Sequence, residues 1–185
     1  MSNCSEAKSG ERIQERFDHL FERHFDEICR YCVRRLGVDD GEDAAAEVFA
    51  VAWRRIDDMP TDSAVRPWLY GVAFRVVGNQ YRGRRRRARL TRRLESDLVG
   101  PGGRVGSGGD THSELVLVAL GKLSDVDQEL LRLHSWDGLT RTEIAQVLGI
   151  NENAVDQRLH RARTRLRARF EQLEPRTRQT QEENS

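Results

Sequence analysis

The stretch TRTEIAQVLGINENAVDQRLHRAR, residues 140–163, carries the strongest structural signal in this sequence. Its apolar residues recur at helical spacing on both sides of a glycine, which predicts two helices joined by a short turn. A helix-turn-helix needs a small residue where the helices touch, a glycine in the turn and a branched apolar residue that anchors the second helix. Ala145, Gly149 and Val155 occupy these positions. The stretch therefore predicts a helix-turn-helix.

The second helix of this motif is predicted to bind DNA. Val155, Leu159 and Leu166 form its apolar stripe, and Gln157 lies almost opposite them at 100° per residue. Arginines line both flanks, so amides would face base edges and guanidinium groups would face phosphates. The alternative is a solvated basic helix in a plain bundle. The preceding helix and turn favour the DNA-binding interpretation.

Capping residues predict where the C-terminal helices begin and end. Ser124 with Gln128, and Thr140 with Glu143, are typical of N-caps or capping boxes. The turn glycine supplies a helix stop, and Asn151 begins the next helix.

Charge is strongly segregated along the 185-residue chain, although the formal net charge is only +1. Residues 1–62 carry 9 Lys and Arg against 15 Asp and Glu, whereas residues 63–93 carry 10 Arg and no acidic residue. Residues 94–157 carry 4 basic and 11 acidic residues, and residues 158–185 carry 8 basic and 4 acidic residues. Two basic blocks, each after an acidic segment, indicate two modules that each face a polyanion.

A glycine-rich segment separates the two modules. Residues 100–110, GPGGRVGSGGD, contain six glycines and a proline, which predicts a flexible tether. We therefore predict an all-α fold in which two small helical domains, residues 11–93 and 114–173, are joined by a flexible Gly-rich linker, residues 94–113. The C-terminal domain holds the helix-turn-helix. Residues 174–185 are predicted to form a disordered tail.

Three amphipathic helices are predicted in the N-terminal domain. The first covers residues 17–36, and the second covers residues 39–56, with acidic residues in its first turn where the helix dipole favours them. A turn-rich loop follows at 57–66, and Pro67 opens the third helix. The second helix has a continuous apolar face made by Ala45, Val48, Phe49, Ala52 and Ile56.

The third helix explains why arginines crowd at residues 83–93. Arg75, Asn79 and Arg82 cluster on its polar side, so the arginine run extends a helix that already displays a basic face. Three aromatic residues on its apolar surface could stack on unpaired bases or pack in the core. Because they share that surface with aliphatic residues, core packing is favoured. These aromatic residues are Tyr70, Phe74 and Tyr81.

The three cysteines raise the question of a metal or redox site. Cys29 and Cys32 form a Cys-x-x-Cys pattern after His24, but no second ligand pair follows to complete a tetrahedral zinc site. Cys32 falls on a helical apolar stripe, which favours core packing. The odd count, with Cys4, argues against a disulfide framework. We expect no metal and no cofactor.

Several classes of protein are not indicated. No apolar run approaches the ~20 residues that span a bilayer, and the N-terminus has no apolar signal segment, so we expect a cytoplasmic protein without membrane insertion. The sequence contains no phosphate-binding glycine loop, nucleophile motif or paired metal-ligand set. Accordingly we expect no enzyme activity and assign no catalytic residue.

Residues 14–170 resemble a bacterial sigma factor of the extracytoplasmic-function (ECF) type in the sigma-70 family. The resemblance lies in three blocks: EDAAAEVFAVAWRRI at 42–56, RPWLYGVAFRVVGNQYRGRRRR at 66–87, and LSDVDQELLRLHSWDGLTRTEIAQVLGINENAVDQRLHRARTRLR at 123–167. Three blocks in this order, with a glycine-rich tether before the last, are more specific than any one of them.

The resemblance implies core RNA polymerase as a partner, contacted through its β′ clamp helices and its β flap. The block at 42–56 resembles the region that docks on the clamp helices. Ala46 stands where the family usually has glutamine, which changes one polar contact. The polymerase-binding residues expected from the resemblance are Asp43, Glu47, Phe49, Trp53 and Arg54.

The resemblance also implies that the block at 66–87 opens and reads the −10 element as melted DNA, with the loop at 57–66 holding a flipped base. Cations on a separated strand would bind its backbone. The residues expected to contact the −10 element are Asp62, Arg66, Arg75, Asn79, Arg82, Arg84, Arg85 and Arg86.

The helix-turn-helix would read the −35 element as duplex DNA. Gln157 could pair with an adenine edge, and Arg165 could bind a phosphate. Asp156 stands where many members carry lysine or arginine; it could accept from a cytosine N4 amine and would repel a phosphate. The residues expected to contact the −35 element are Asn151, Asn153, Asp156, Gln157, Arg158, His160, Arg161 and Arg165.

The function implied is a sigma factor that binds core polymerase and directs promoter-specific transcription initiation. The resemblance also permits an anti-sigma factor as a partner. The alternative is a stand-alone helix-turn-helix regulator. Such a protein needs a dimerisation or sensor module, and residues 11–93 have neither pattern.

Overall fold

The computed structural model describes residues 3–94 and 111–182, and within these ranges all regular structure is helical. The all-α prediction is confirmed. The described α-helices are α1 Asn3–Leu36, α2 Val38–Arg54, α3 Val65–Leu94, α4 Thr111–Gly121, α5 Asp125–Ser135, α6 Arg141–Leu148 and α7 Glu152–Glu182. Two 3₁₀ turns, Ile56–Asp58 and Asp62–Ala64, lie between α2 and α3. None of these helices is long and apolar enough to cross a membrane.

The chain divides into an N-terminal unit with α1 to α3 and a C-terminal unit with α4 to α7. The segment predicted as a Gly-rich linker falls mostly on residues 95–110, outside the described residues. Helix α4 already begins at Thr111, so the C-terminal unit starts before the predicted boundary at 114.

In the N-terminal unit, α1 packs along α2, and α3 packs against both. The five apolar residues predicted for the second helix are all buried, although Ile56 lies in the 3₁₀ turn after α2. Leu69 and Tyr70 of α3 are also buried. Gly41 lies at a close approach of α2 to α1, because a Cβ atom there would lie 2.5 Å from the Cα atom of Val33. A side chain at this position would push the two backbones apart.

Helix α1 is longer than predicted. We expected it to begin at Phe17, yet it begins at Asn3. The added segment has no apolar stripe, but it is rich in Glu, Lys, Arg and Gln, which have high intrinsic helix propensity. A hydrogen bond one turn apart, from Gln14 Nε2 to Asp18 Oδ1 at 2.8 Å, contributes further.

Helix α3 continues through the arginine run to Leu94, as the sequence predicted. Helix α7 continues to Glu182, where a disordered tail from residue 174 was expected. Residues 174–182 follow a turn that is already helical, and extending a helix avoids the cost of nucleating a new one.

The C-terminal unit packs α4, α5 and α6 against α7. Ser124 caps α5 by accepting from the backbone N–H of Asp127, as predicted. Its predicted partner differs, because Gln128 Nε2 instead donates to the carbonyl oxygen of Leu123 at 3.0 Å. Gln128 is one residue too far into the helix to close a capping box.

Candidate nucleic-acid and polymerase surfaces

The helix-turn-helix is held by caps on both of its helices. Thr140 and Glu143 form a reciprocal capping box at the start of α6. Gly149 ends α6 in the left-handed region at φ 65°, which glycine adopts without a Cβ penalty. Asn151 Oδ1 accepts from the backbone N–H of Ala154 at 2.8 Å and so begins α7. These predicted boundaries are confirmed.

The core of the motif is apolar and buried. Ile144 of α6 and Val155 and Leu159 of α7 are almost completely buried, and Ala145 of α6 is also buried. Because these residues fix the rotation of α7, they also fix which of its side chains face outward. Sequence reasoning anticipated this arrangement from the spacing of the apolar residues alone.

The residues expected to contact the −35 element are all exposed, from the cap before α7 into its fourth turn. These are Asn151, Asn153, Asp156, Gln157, Arg158, His160, Arg161 and Arg165. Arg161 Nη2 donates to Gln157 Oε1 at 3.2 Å, which orders the amide and places the guanidinium beside it. The expected DNA contacts remain predictions, but the surface they require is present.

Two charged residues on this side are paired within the fold. Arg165 Nη1 donates to Asp127 Oδ2 of α5 at 2.6 Å, and Arg141 Nε lies 2.8 Å from Asp156 Oδ1 in an ion pair. Sequence reasoning missed both Asp127 and Arg141. Arg141 directly follows the capping residue Thr140, at the exposed start of a helix, and that position could have identified it.

Helix α3 presents the expected basic face. Arg75, Asn79, Arg82 and Arg86 are exposed, and Arg82 donates to the side-chain oxygen of Asn79. Exposed guanidinium groups along one helix side suit a phosphate backbone. The side chains of Asp62 and Arg85 lie outside the described residues.

Arg84 differs from these arginines because it folds back onto its own unit. Its Nη2 donates to the carbonyl oxygen of Leu36 at 3.0 Å and pairs with the carboxylate of Asp40. Leu36 ends α1, and its carbonyl is one of the four that a helix C-terminus leaves without an intrahelical donor. Arg84 therefore ties α3 to the junction between α1 and α2.

Arg66 also has an intramolecular partner. Its Nε donates to Glu27 Oε2 at 3.1 Å, and the other oxygen of Glu27 lies 2.6 Å from Nδ1 of the buried His24. Burial acts to raise the pKa of Glu27, but the hydrogen bonds from His24 and Arg66 outweigh it and hold that pKa below its ordinary value. The guanidinium also lies 5.2 Å from the ring centre of Tyr70. Arg66 therefore joins the start of α3 to α1.

The aromatic residues of α3 serve the core. Tyr70 is buried and packs edge-on against Tyr31, with ring centres 5.3 Å apart. Tyr81 is partly exposed, but its hydroxyl donates to the carbonyl oxygen of Arg35. Phe74 is partly buried. These positions agree with the core-packing interpretation rather than with base stacking.

The expected polymerase-binding face of α2 is exposed at Asp43, Glu47 and Arg54. Trp53 is 41% exposed, and its ring packs edge-on against Phe17 with centres 5.0 Å apart. Phe49 was expected at the margin of this face, yet it is only 3% exposed. The rings of Phe17, Phe21 and Phe25 of α1 contact its ring. Phe49 therefore packs α2 against α1 and does not form part of the exposed face.

Two of the three cysteines, Cys29 and Cys32, have described side chains. Cys32 is completely buried, as predicted, and Cys29 is partly buried. Desolvation, assisted by the nearby carboxylates of Glu42 and Asp26, raises the pKa of the Cys29 thiol. Within residues 3–94 and 111–182, no three His, Cys, Asp or Glu side chains are grouped to hold a metal ion.

These surfaces define a two-part helical protein with a DNA-type helix-turn-helix, and comparison with known proteins places it more closely. Residues 20–87 match the family described as Sigma-70 region 2, and residues 113–166 match Sigma-70, region 4. The chain belongs to the sigma-70 family of RNA polymerase sigma factors, in the ECF subfamily. The resemblance found from the sequence is confirmed, and this family comprises regulators of transcription rather than enzymes.

Individual relatives agree with this assignment. RNA polymerase sigma factor CnrH of Cupriavidus metallidurans is 31% identical over 180 residues, covering 89% of this chain and 91% of the relative. ECF RNA polymerase sigma factor SigW of Bacillus subtilis is 28% identical over 180 residues, covering 86% and 91%.

Solved structures show the same fold. CnrH in complex with the cytosolic domain of CnrY aligns with a TM-score of 0.59 at 28% identity, covering 84% of this chain and 87% of that one. The sigma factor RpoE of Bartonella quintana, in complex with the anti-sigma factor NepR, aligns with a TM-score of 0.63 at 19% identity, covering 84% and 96%.

Proposed function

We propose that this sigma factor binds core RNA polymerase and directs it to promoters whose −35 element is read by α7 and whose −10 element is opened and read by α3. One observation carries the proposal most directly. The sequence segments that match regions 4 and 2 each present an exposed polar helix side, and each of these sides is rich in arginine. Catalysis of RNA synthesis would belong to the polymerase.

Reading of the −35 element is assigned to the N-terminal half of α7. In a helix-turn-helix bound to DNA, the first residues of the second helix contact base edges in the major groove. Gln157 and Asn153 are exposed there and carry amides that can donate and accept at an adenine edge. Arg158 and Arg161 are exposed beside them and would bind phosphates, which fix the register of the helix without reading the sequence.

Recognition of the −10 element is assigned to the exposed side of α3 and to the loop at 57–66. Arg75, Arg82 and Arg86 would bind the backbone of the separated strand, and Asn79 can hydrogen-bond with a base. Arg66 and Arg84 have a different role in this proposal. Their carboxylate partners orient them, so they would support the basic face and the loop before contacting DNA.

Polymerase binding is assigned to α2, through Asp43, Glu47 and Arg54, with the exposed edge of Trp53 beside them. The β′ clamp helices would contact this face, and the β flap would contact the C-terminal unit. Because Ala46 is exposed on the same helix, it leaves a small apolar site where relatives carry a polar side chain. A second protein partner, an anti-sigma factor, is also proposed, since CnrH is found in complex with the cytosolic domain of CnrY.

The test combines purified chain with core RNA polymerase. Co-purification followed by run-off transcription from a library of promoters randomised at −35 and −10 should yield a preferred sequence. A triple variant of Asp43, Glu47 and Trp53 to alanine should lose polymerase binding with unchanged helical content. Gln157→Ala should keep polymerase binding and relax the preference at one −35 position by a factor that corresponds to ~1–3 kcal/mol.

Two outcomes would contradict the proposal. If the chain binds DNA with high specificity but never joins core polymerase, it acts as a stand-alone regulator. If the triple variant binds core polymerase as tightly as the unaltered chain, the face on α2 is assigned incorrectly. Ala50→Ser, a mild change on the exposed part of α2, serves as the matched control and should leave binding unchanged.

A further inference from the structure

The pair formed by Arg141 and Asp156 joins the two helices of the helix-turn-helix on their exposed side. Arg141 is the first residue of α6, and Asp156 lies in the second turn of α7. The Arg141 Nε atom lies 2.8 Å from Asp156 Oδ1, and the two side chains are 60% and 47% exposed. The pair is therefore formed in the free protein and remains open to a ligand.

Both partners stand on well-defined backbone. The capping box of Thr140 and Glu143 fixes the start of α6, and the Asn151 cap fixes the start of α7. Val155, the residue before Asp156, is completely buried. The two charged side chains are therefore carried on backbone whose position is set by capping and by the core, rather than on a loop.

Hydrogen-bonding capacity decides what this pair can still bind. A guanidinium group has five N–H donors in a planar fork. Because Asp156 pairs with Arg141 on its Nε side, both Nη groups of Arg141 can still donate. A fork of that kind fits phosphate oxygens. The N-terminus of α6 adds the positive end of a helix dipole at the same place.

The location of the pair also agrees with the way a helix-turn-helix docks on DNA. When a helix-turn-helix docks, its first helix crosses the phosphate backbone while the start of its second helix enters the major groove. Arg141 is at the start of the first helix, and Asp156 is close to the start of the second. A lone carboxylate there would repel phosphates, but its pairing with Arg141 neutralises it.

We propose that Arg141 is a DNA-backbone contact of this sigma factor and that Asp156 is the positioning residue that holds its guanidinium group. This inference rests on the proposed function of α7. It replaces the sequence-based expectation that Asp156 reads a cytosine. It also gives a physical reason for an acidic residue at a position where the family often carries a basic one, since the missing cation is supplied by Arg141.

The experiment measures binding of the full chain to two 30-base-pair duplexes by fluorescence anisotropy at several salt concentrations. One duplex is the sequence that the unaltered chain selects from a library randomised across the −35 positions, and the other is of random sequence. The variants are Arg141→Ala, Arg141→Lys, Asp156→Ala and the double alanine variant. Circular dichroism checks that each variant folds, which is expected because exposed ion pairs contribute little to stability.

The variants of Arg141 and Asp156 should differ in DNA affinity and in salt dependence. Arg141→Ala should weaken binding to both duplexes alike, by about 3- to 10-fold at low salt, and should reduce the log–log salt slope by about one unit. Arg141→Lys should retain the slope but bind more weakly, because one ammonium group cannot bond to Asp156 and present a fork to the phosphate. Asp156→Ala should change affinity less than about 2-fold when Arg141 is present. In the Arg141→Ala background it should raise affinity several-fold, because an uncompensated carboxylate is removed.

Three outcomes would overturn the inference. Unchanged affinity and slope for Arg141→Ala would mean that Arg141 does not contact DNA. Additive effects in the double variant would mean that the pair does not act as a unit. Loss of preference at a single base pair on Asp156→Ala would mean that Asp156 reads that base. Failure of the unaltered chain to bind either duplex or to support run-off transcription would instead refute the function on which the inference rests.

Discussion

Replacing Arg165 with alanine tests whether this arginine stabilises the C-terminal unit or serves as a contact to a DNA phosphate. The sequence alone predicted a phosphate contact on the flank of α7. In the structure its guanidinium lies 2.6 Å from the carboxylate of Asp127, whose side chain is only 11% exposed. The arginine side chain itself is 58% exposed, so one end of the pair is nearly buried and the other is solvated.

The expected loss of stability follows from the unequal exposure of the two side chains. Removing one partner of a fully buried ion pair costs about 3–5 kcal/mol, whereas an exposed pair contributes about 0–1 kcal/mol. For Arg165→Ala we expect a loss of about 1–2 kcal/mol, because water can reach the space that the arginine leaves and can solvate Asp127 in part. That loss corresponds to an opening equilibrium about 5- to 30-fold more favourable.

Hydrogen exchange measured by mass spectrometry on the full chain can localise this change. Amides of α5 and α7 should exchange about 5- to 30-fold faster in Arg165→Ala, while those of α1 to α3 should be unaffected. Arg158→Ala is the matched control, since it removes an exposed arginine from the same helix and should change stability by less than about 0.5 kcal/mol. Adding Asp127→Ala to Arg165→Ala should recover part of the loss, because the unpaired carboxylate is then absent.

The opposite pattern would refute this reasoning. If Arg165→Ala leaves exchange in α5 unchanged but lowers DNA affinity and shallows the salt slope by about one unit, Arg165 acts as a free phosphate contact. The interpretation made from the sequence would then be the correct one.

Three further predictions concern the N-terminal unit. Gly41→Ala should destabilise it by about 1–3 kcal/mol in chemical denaturation, because the new Cβ would lie 2.5 Å from the α1 backbone. Gly71→Ala should instead stabilise α3 by about 0.5–1 kcal/mol, because its Cβ would meet no heavy atom within 4 Å beyond its chain neighbours and the nearby backbone of its own helix. The lowered pKa of Glu27 means that the hydrogen bonds to its carboxylate stabilise the fold above the ordinary pKa of 4.5 and that this contribution is lost as the pH falls below that value. Glu27→Gln should remove this part of the pH dependence of unfolding in the acid range, and an unchanged profile would contradict it. The raised pKa of Cys29 keeps its thiol protonated at neutral pH, so its alkylation by iodoacetamide should be slower than that of an unperturbed thiol. The rate should rise only at a higher pH than for an ordinary cysteine, and fast reaction at pH 7 would contradict the raised pKa.

The local patterns of the sequence were sufficient to predict that the fold is helical and which side of α2 and of α7 faces the core. The buried positions of α2 and α7 recur at helical spacing, so the outward faces could be inferred as their complement. Ala145, Gly149 and Val155 located the helix-turn-helix because each answers a local requirement of backbone or packing. Capping at Thr140 and Asn151 likewise depends only on residues within one turn.

The partners of charged side chains were decided only by the tertiary structure. Arg66, Arg84 and Arg165 were all predicted to bind DNA, yet each is paired with a carboxylate 38 to 44 residues distant in sequence. Helical periodicity specifies the side of a helix on which an arginine lies, but not what stands opposite it after packing. Phe49 shows the same limit, because its position at the edge of an apolar stripe gave no indication that three rings of α1 would enclose it. Secondary structure depends on neighbours a few residues apart, whereas the contacts that orient or occupy a binding side chain depend on segments brought together only when the helices pack.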